Sequence, residues 1–324
     1  MIDVEGLVET YSDGTKAVDD ITFEVKEGEF FGFLGPNGAG KSTTIKVLTT
    51  LLRKTKGKVS VGGYDLDKSP REIRKIIGVL SQETSLDIDL TGWENLRLQG
   101  SLQQVQGRVL DERIEELLKL VQLEDVAKKP AGRYSGGMRK RLDLASALIH
   151  QPKLLFLDEP TTGLDTQSRT AIWEYLQNLN QKEGLTIFLT TQYLEEADHL
   201  CRRLSIIDRG KLIANGSPAE LKEALGGDTI ALTLDPLQRA KAKEIVSAVP
   251  GVLNVDDSGD GVVVHSKVAG QVVADVAAAL ESNGIRPSFL SISSPTLDDV
   301  FLSRTGRRIR SGDLQRKENE PFIM

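Results

Sequence analysis

Residues 35–43 read GPNGAGKST, directly after the apolar run FFGFL and directly before TTIKVLTTLL. The order of strand, glycine loop and helix constrains the fold more than any other feature of the chain. Glycines let the backbone curl until successive N–H groups face one point at a helix N-terminus, where the helix dipole also favours negative charge. The spacing G-x-x-x-x-G-K-[ST] therefore predicts a phosphate cradle built from Gly35, Pro36, Asn37, Gly38, Ala39, Gly40 and Thr43. Lys41 is expected to reach the terminal phosphates and Ser42 to ligate Mg²⁺. A chance match arises in about one chain in a hundred at usual residue frequencies, and the flanking strand and helix make chance rarer still.

Such a loop needs a largely parallel sheet to stand on. ITFEVKEGEFFGFLG, PKLLFLDEP, TIFLT and RLSIID read as strands, each a short apolar run bounded by Gly, Pro or charge. Between them, residues 110–123, 139–149 and 168–181 carry helical periodicity. The alternation predicts an α/β domain with a mainly parallel sheet covered on both faces. Around Leu225–Asp228 the pattern changes to strand, helix, strand, strand, helix, strand, which predicts a small separate α+β domain resembling a split βαβ unit. The expected division is 1–225 for the first domain, with a helical part at about 84–150, then 228–303 for the second. A polar, aperiodic stretch at 304–324 is expected to be a flexible tail.

Composition narrows the class. With 324 residues, 39% hydrophobic and 27% charged, and a formal charge of −6, the chain is expected to fold and has no nucleic-acid footprint. Its single cysteine, Cys201, allows no internal disulfide and is expected to pack in the core. The longest apolar runs, FFGFLG and LLFL, fall far short of the roughly 18 residues of a membrane span. The N-terminus MIDVEGLVET has no apolar signal region, so the chain is expected neither to be secreted nor to span a membrane by itself.

A second constellation lies in KLLFLDEP, where four apolar residues end in two carboxylates at the carboxyl end of a strand. Ligands in α/β sheets bind at such ends. Asp158 suits the carboxylate that holds Mg²⁺, and Glu159 the base that orients an attacking water. Alone, the pair would be two solvated acids; beside a phosphate loop it reads as a hydrolytic centre.

The choice among phosphate-loop proteins comes from RYSGGMRKRLDLASALIHQPKLLFLDEPTTGLD, which resembles the ATP-binding cassette family. The resemblance covers residues 1 to about 225 and implies a RecA-like core with a helical signature subdomain. Ser135, Gly136 and Gly137 resemble the family's signature, a helix start that closes on the nucleotide of a partner subunit. Gln82 resembles the glutamine that contacts Mg²⁺ or the lytic water, and Asp165 the residue that signals across the dimer. Tyr11, 24 residues before Gly35, resembles the aromatic on which adenine stacks, a contact of about 1–3 kcal/mol by analogy with other stacked bases. The signature, TTQYLEEAD and SSPTLDDVFLSRTGR together resemble the daunorubicin-resistance type of subunit. The resemblance implies ATP and Mg²⁺ as ligands, a separate membrane permease, a second nucleotide-binding subunit forming a homodimer, no nucleic acid, and residence at the cytoplasmic face of the membrane. The implied function is ATP hydrolysis that drives export of a hydrophobic drug or lipid-like compound. Residues 82–100, including Trp93 and Glu94, are the implied docking surface for the permease.

The chain departs from the family at two places. Gln192 stands where a histidine usually contacts the γ-phosphate; its amide still donates a hydrogen bond but carries no proton or charge. Neutral bonds contribute about 0.5–1.5 kcal/mol and charge-assisted ones about 1.5–3, so hydrolysis is expected to be slower by less than tenfold, still acting through Glu159. His199, seven residues on, is expected at the surface. Tyr134 and Met138 flank the signature where Leu and Gln are usual, which is expected to tune closure. Two other classes compete. A soluble cassette acting on DNA or ribosomes would need a long coiled coil or a second cassette, and only about 90 residues without heptads separate loop from signature. A regulatory cassette without turnover is opposed by the intact Lys41, Asp158 and Glu159. In the second domain, His265 is expected to be a half-buried structural residue.

Overall fold

The structure is a computed structural model that describes residues 1–259 and 261–306. Two compact units divide near Asn215 and Gly216. In the first, β1 (Ile2–Thr10), β2 (Lys16–Val25) and β3 (Phe30–Leu34) lead to α1 (Lys41–Leu48), β4 (Lys56–Val61), β5 (Tyr64–Asp65), α2 (Pro70–Ile76) and β6 (Ile77–Leu80). Three longer helices follow, α3 (Gly92–Leu102), α4 (Gly107–Leu120) and α5 (Gly136–Ala147). The unit closes with β7 (Leu154–Asp158), α6 (Thr166–Glu183), β8 (Thr186–Thr191), α7 (Leu194–Leu200), β9 (Arg203–Asp208) and β10 (Lys211–Gly216).

The central sheet runs β10-β9-β3-β8-β7-β6, and its pairs β3/β9, β3/β8, β7/β8 and β6/β7 are parallel. β3, β7 and β8 are buried at every position, which is why they read as unbroken apolar runs rather than alternating ones. Parallel pairing sends their carboxyl ends to one edge, with Leu34 level with Thr191 and Asp158 level with Thr190.

The stretch ITFEVKEGEFFGFLG is two strands in two sheets. Lys26–Glu29 turn the chain, with Gly28 at φ 70, so β2 joins a four-stranded antiparallel sheet β2-β1-β4-β5. The mainly parallel sheet is as expected, and the single strand read across ITFEVKEGEFFGFLG is corrected to two. The antiparallel sheet contributes Val4, Leu7, Phe23 and Val59 to one core with Phe31, Phe33, Phe156 and Phe188 of the parallel sheet. Phe23 stacks on Phe31 at 5.8 Å and meets Phe188 at 6.1 Å.

In the second unit, α8 (Pro218–Glu223) precedes β11 (Asp228–Thr233), α9 (Arg239–Ser247), β12 (Val252–Ser258), β13 (Gly261–Ser266), α10 (Ala269–Ser282), β14 (Phe289–Ser293) and α11 (Leu297–Thr305). Its sheet runs β12-β13-β11-β14 with antiparallel pairing throughout, and Ile230, Val246, Val264, Val276 and Leu280 share a separate core. α11 carries regular structure to Thr305, past the expected start of the tail at 304, and the remainder of that tail lies outside the described residues. His265 of β13 is half-buried and pairs with Asp256 at 3.0 Å. No described helix is long and apolar enough to cross a membrane.

Candidate functional site

Between Leu34 and Lys41 the chain makes two left-handed steps, Gly38 at φ 78 and Gly40 at φ 111. At Gly40 a Cβ would lie 2.4 Å from the Ala17 carbonyl oxygen, so only glycine fits. Gly40 is also the N-cap of α1 and gives it no side-chain cap, which leaves the first N–H groups of the helix without a capping partner of their own. Lys41, 4% exposed, folds back over the loop. Its Nζ donates to the carbonyls of Gly35 (2.7 Å) and Pro36 (3.2 Å) and pairs with Glu159 at 3.1 Å.

Asp158 ends β7, and its Oδ1 accepts from Ser42 Oγ at 3.2 Å and from Thr190 Oγ1 at 2.6 Å. Glu159 follows at φ 48, a left-handed conformation uncommon outside glycine. The backbone is held there by the Glu159 N–H donating to the Thr190 carbonyl at 3.0 Å. Strain of this kind collects at functional sites, at about 1–3 kcal/mol per residue. Thr162 Oγ1 donates to the Glu159 carboxylate at 3.2 Å.

An open cleft of about 610 Å³ fronts this edge of the sheet, lined by Tyr11, Lys41, Ser42, Thr43, Gln82 and Glu159 among others. The Tyr11 hydroxyl is hydrogen-bonded to Thr43 Oγ1 at 3.0 Å, and its ring remains partly exposed. Gln192 follows β8, buried, with no partner for its side-chain oxygen among the described residues. Ser135, Gly136 and Gly137 do not line the cleft. Ser135 caps α5, its Oγ accepting the Met138 N–H at 3.2 Å, which leaves the hydroxyl proton free to donate. A Cβ on Gly137 would come within 2.7 Å of Ser168 Oγ. Ser168 in turn is held by Asp165, which caps α6 through the Ser168 N–H (2.9 Å) and hydroxyl (2.8 Å). The Ser168 N–H is the main reason the Asp165 carboxyl sits below its usual range. His199 is exposed and lies 5.2 Å from Trp173. Tyr134 is buried and donates to the Val126 carbonyl at 2.8 Å, and Cys201 is buried.

These residues suit a metal-bound polyphosphate. The loop offers a glycine cradle with an uncapped helix start, a buried ammonium held by carbonyls and a carboxylate, and a hydroxyl and a carboxylate of the hard-oxygen type that Mg²⁺ prefers. Two participants were not legible in the sequence. Thr190 braces both Asp158 and Glu159, and Glu196 is fully buried on α7. Glu196 Oε1 accepts from Thr161 Oγ1 at 2.9 Å and Trp173 Nε1 at 3.0 Å, tying α7 to the strand-end loop and to α6. Burial pushes its carboxyl pKa up. The apolar-face periodicity of TTQYLEEAD carries the only sign, a glutamate at an inward position.

Residues 18–162 match the family described as ABC transporter, and residues 216–305 match the family described as ATP-binding protein DrrA1-3-like, C-terminal domain. The chain is 43% identical to the daunorubicin resistance ATP-binding protein DrrA2 of Streptomyces coeruleorubidus, over 90% of this chain and 91% of that protein. It is 37% identical to the linearmycin resistance ATP-binding protein LnrL of Bacillus subtilis (strain 168), over 96% of this chain and the whole of the relative. Among solved structures it resembles the ATP-binding cassette MJ0796 in a dimeric post-hydrolysis state with ADP and phosphate. That match has a TM-score of 0.62 at 28% identity and covers 67% of this chain and 98% of the other.

Proposed function

The chain belongs to the ATP-binding subunits of ABC transporters, and from that premise we propose which residues perform its ATP hydrolysis and what the transporter carries. As a member it is an ATPase that works with a separate permease, and subunits of this type dimerise. The reading of the site rests on one observation: the Ser42–Asp158 contact at 3.2 Å lies beside the Lys41–Glu159 pair at 3.1 Å, at one edge of the sheet.

Tyr11 stacks adenine, and the loop Gly35–Thr43 cradles the phosphates with its N–H groups, except at Pro36, which has none, and at Gly35 and Ala39, which donate to the Thr191 and Pro36 carbonyls. Lys41 exchanges Glu159 for phosphate oxygens. Ser42, Gln82 and Asp158 would hold a magnesium ion, which would supply charge neutralisation at the phosphates. Glu159, released from Lys41, orients a water and accepts its proton as the water oxygen bonds to the terminal phosphorus and the bridging bond to ADP breaks. The Gln192 amide donates a hydrogen bond towards the terminal phosphate. Ser135–Gly137 of a second copy complete the site, which accounts for their distance from the cleft, and Asp165 carries the signal between copies.

The cargo we propose is a hydrophobic drug or lipid-like compound moved outward, a reading supported by the resistance functions in the relatives' names and by the DrrA-like C-terminal match. The subunit then sits at the cytoplasmic face, bound through the permease at residues 82–100. Trp93 is half-buried there, while the Glu94 carboxylate accepts the Thr91 N–H at 2.8 Å in a capping box. The first unit, which ends near Asn215 rather than at 225, is then the nucleotide-binding domain, and the second a domain that contacts its counterpart or regulates it. Glu159→Gln tests the site: purified protein is expected to lose about 10²–10⁴ of its hydrolysis rate while still binding ATP. Wild-type turnover by that variant would remove Glu159 from the mechanism.

A further inference from the structure

The segment from Ser81 to Leu90 carries Gln82 away from β6 and is exposed at most of its positions, yet it is pinned. Its far half is held to α3, where the Asp87 N–H donates to Asn95 Oδ1 at 2.9 Å and Asn95 Nδ2 donates back to the Asp87 carbonyl at 2.9 Å. Its near half, with Gln82, is held by α5. Lys140 Nζ donates to the Ser81 carbonyl at 3.0 Å and lies 3.4 Å from the Gln82 carbonyl. Asp143 Oδ1 accepts both the Ser85 N–H at 3.3 Å and the Ser85 hydroxyl at 2.8 Å.

Lys140 and Asp143 are three residues apart, which puts them on one face of the helix. Asp143 is 3% exposed, and its second oxygen has no partner among the described residues. A buried carboxylate is costly unless it is hydrogen-bonded or paired, and both hydrogen bonds to Asp143 Oδ1 come from Ser85. Burial lowers the Lys140 pKa, with the charges of Asp143 and Asp158 acting in the other direction. The helix that makes both contacts begins at Gly136, one residue after Ser135.

We propose that Lys140 and Asp143 are positioning residues, a two-point clamp through which α5 sets the place of Gln82 and makes that loop and the Ser135–Gly137 turn move as one body. The catalytic consequence rests on the reading of Gln82 as a contact to Mg²⁺ or the lytic water; the clamp itself rests on the contacts.

Hydrogen exchange by mass spectrometry on the nucleotide-free full chain tests the clamp, comparing wild type with Lys140→Met, Lys140→Arg and Ser85→Ala. Loss of either contact is expected to speed exchange across residues 82–87 about tenfold, the worth of one hydrogen bond, while Lys140→Arg, which keeps donors, stays near wild type. Unchanged exchange in both Lys140→Met and Ser85→Ala overturns the clamp, and so does a chain-wide rise, which would mark ordinary destabilisation. The second arm titrates Mg²⁺ at saturating ATP. Lys140→Met is expected to raise the Mg²⁺ requirement several-fold with a smaller change in kcat, while binding of trinitrophenyl-ATP in EDTA stays unchanged. Loosened exchange with an unaltered Mg²⁺ requirement overturns the link to Gln82. Failure of wild type to bind the analogue would instead break the site reading, with the exchange result still standing.

Discussion

Gln192 stands where the wider family's pattern leads one to expect a histidine. Its side chain is buried, and its oxygen has no partner among the described residues; the amide can donate a hydrogen bond to a phosphate but has no charge to add. Gln192→His is expected to raise kcat by less than tenfold, the gap between a neutral and a charge-assisted bond. A steady-state assay on purified protein in which kcat stays level or falls would show that Gln192 already does all that position needs. The participants of this kind that were legible in the sequence, Lys41, Ser42, Asp158 and Glu159, are those whose spacing along the chain is itself the mechanism. Thr190 was not legible, because bracing Asp158 and Glu159 depends on strand register, which no local pattern records.

At the scale of elements, Glu196 stitches α7 to α6 and to the loop after Glu159, and its raised pKa makes that stitch depend on pH. In the unfolded chain the group ionises near 4.5, whereas in the fold burial raises that value. Between those two values the unfolded state holds fewer protons, so this group's contribution to stability falls as pH rises and levels off above the folded pKa. Glu196→Gln removes that slope. Its Tm relative to wild type is expected to climb by a few degrees as pH rises from about 4.5, at about 2–4 °C per kcal/mol for a domain of this size; a gap constant with pH would count against a protonated Glu196. Elements were legible where burial on both faces made the sequence continuously apolar, as in β3, β7 and β8. The join of β2 to β3 was not, because Lys26–Glu29 look like more of the charged alternation that precedes them. α8 and α11 went unread for another reason. Each is short and begins at a Ser or Thr cap, Ser217 and Thr296, and its periodicity is too brief to register. The contact of α5 with Ser85 spans 58 residues and leaves no local trace at all.

For the molecule as a whole, the two units have separate cores, and the site lies entirely in the first. Truncation after Gly227 is therefore expected to spare nucleotide binding while reducing dimerisation or transport; unchanged values for both would leave the second unit without the role proposed for it. In the first unit Lys41 and Glu159, both buried, neutralise each other. An arriving nucleotide must exchange one counter-ion for another, and the measured affinity contains the cost of that exchange. Glu159→Gln weakens the bond to be given up by about 1 kcal/mol, so ADP, which is never hydrolysed, is expected to bind several-fold more tightly to the variant, as read by calorimetry, whereas adenosine is not. With Lys41 and Glu159 paired at 3.1 Å, the general base is also the ammonium's counter-ion, and a ligand without an anionic group has nothing to offer in its place.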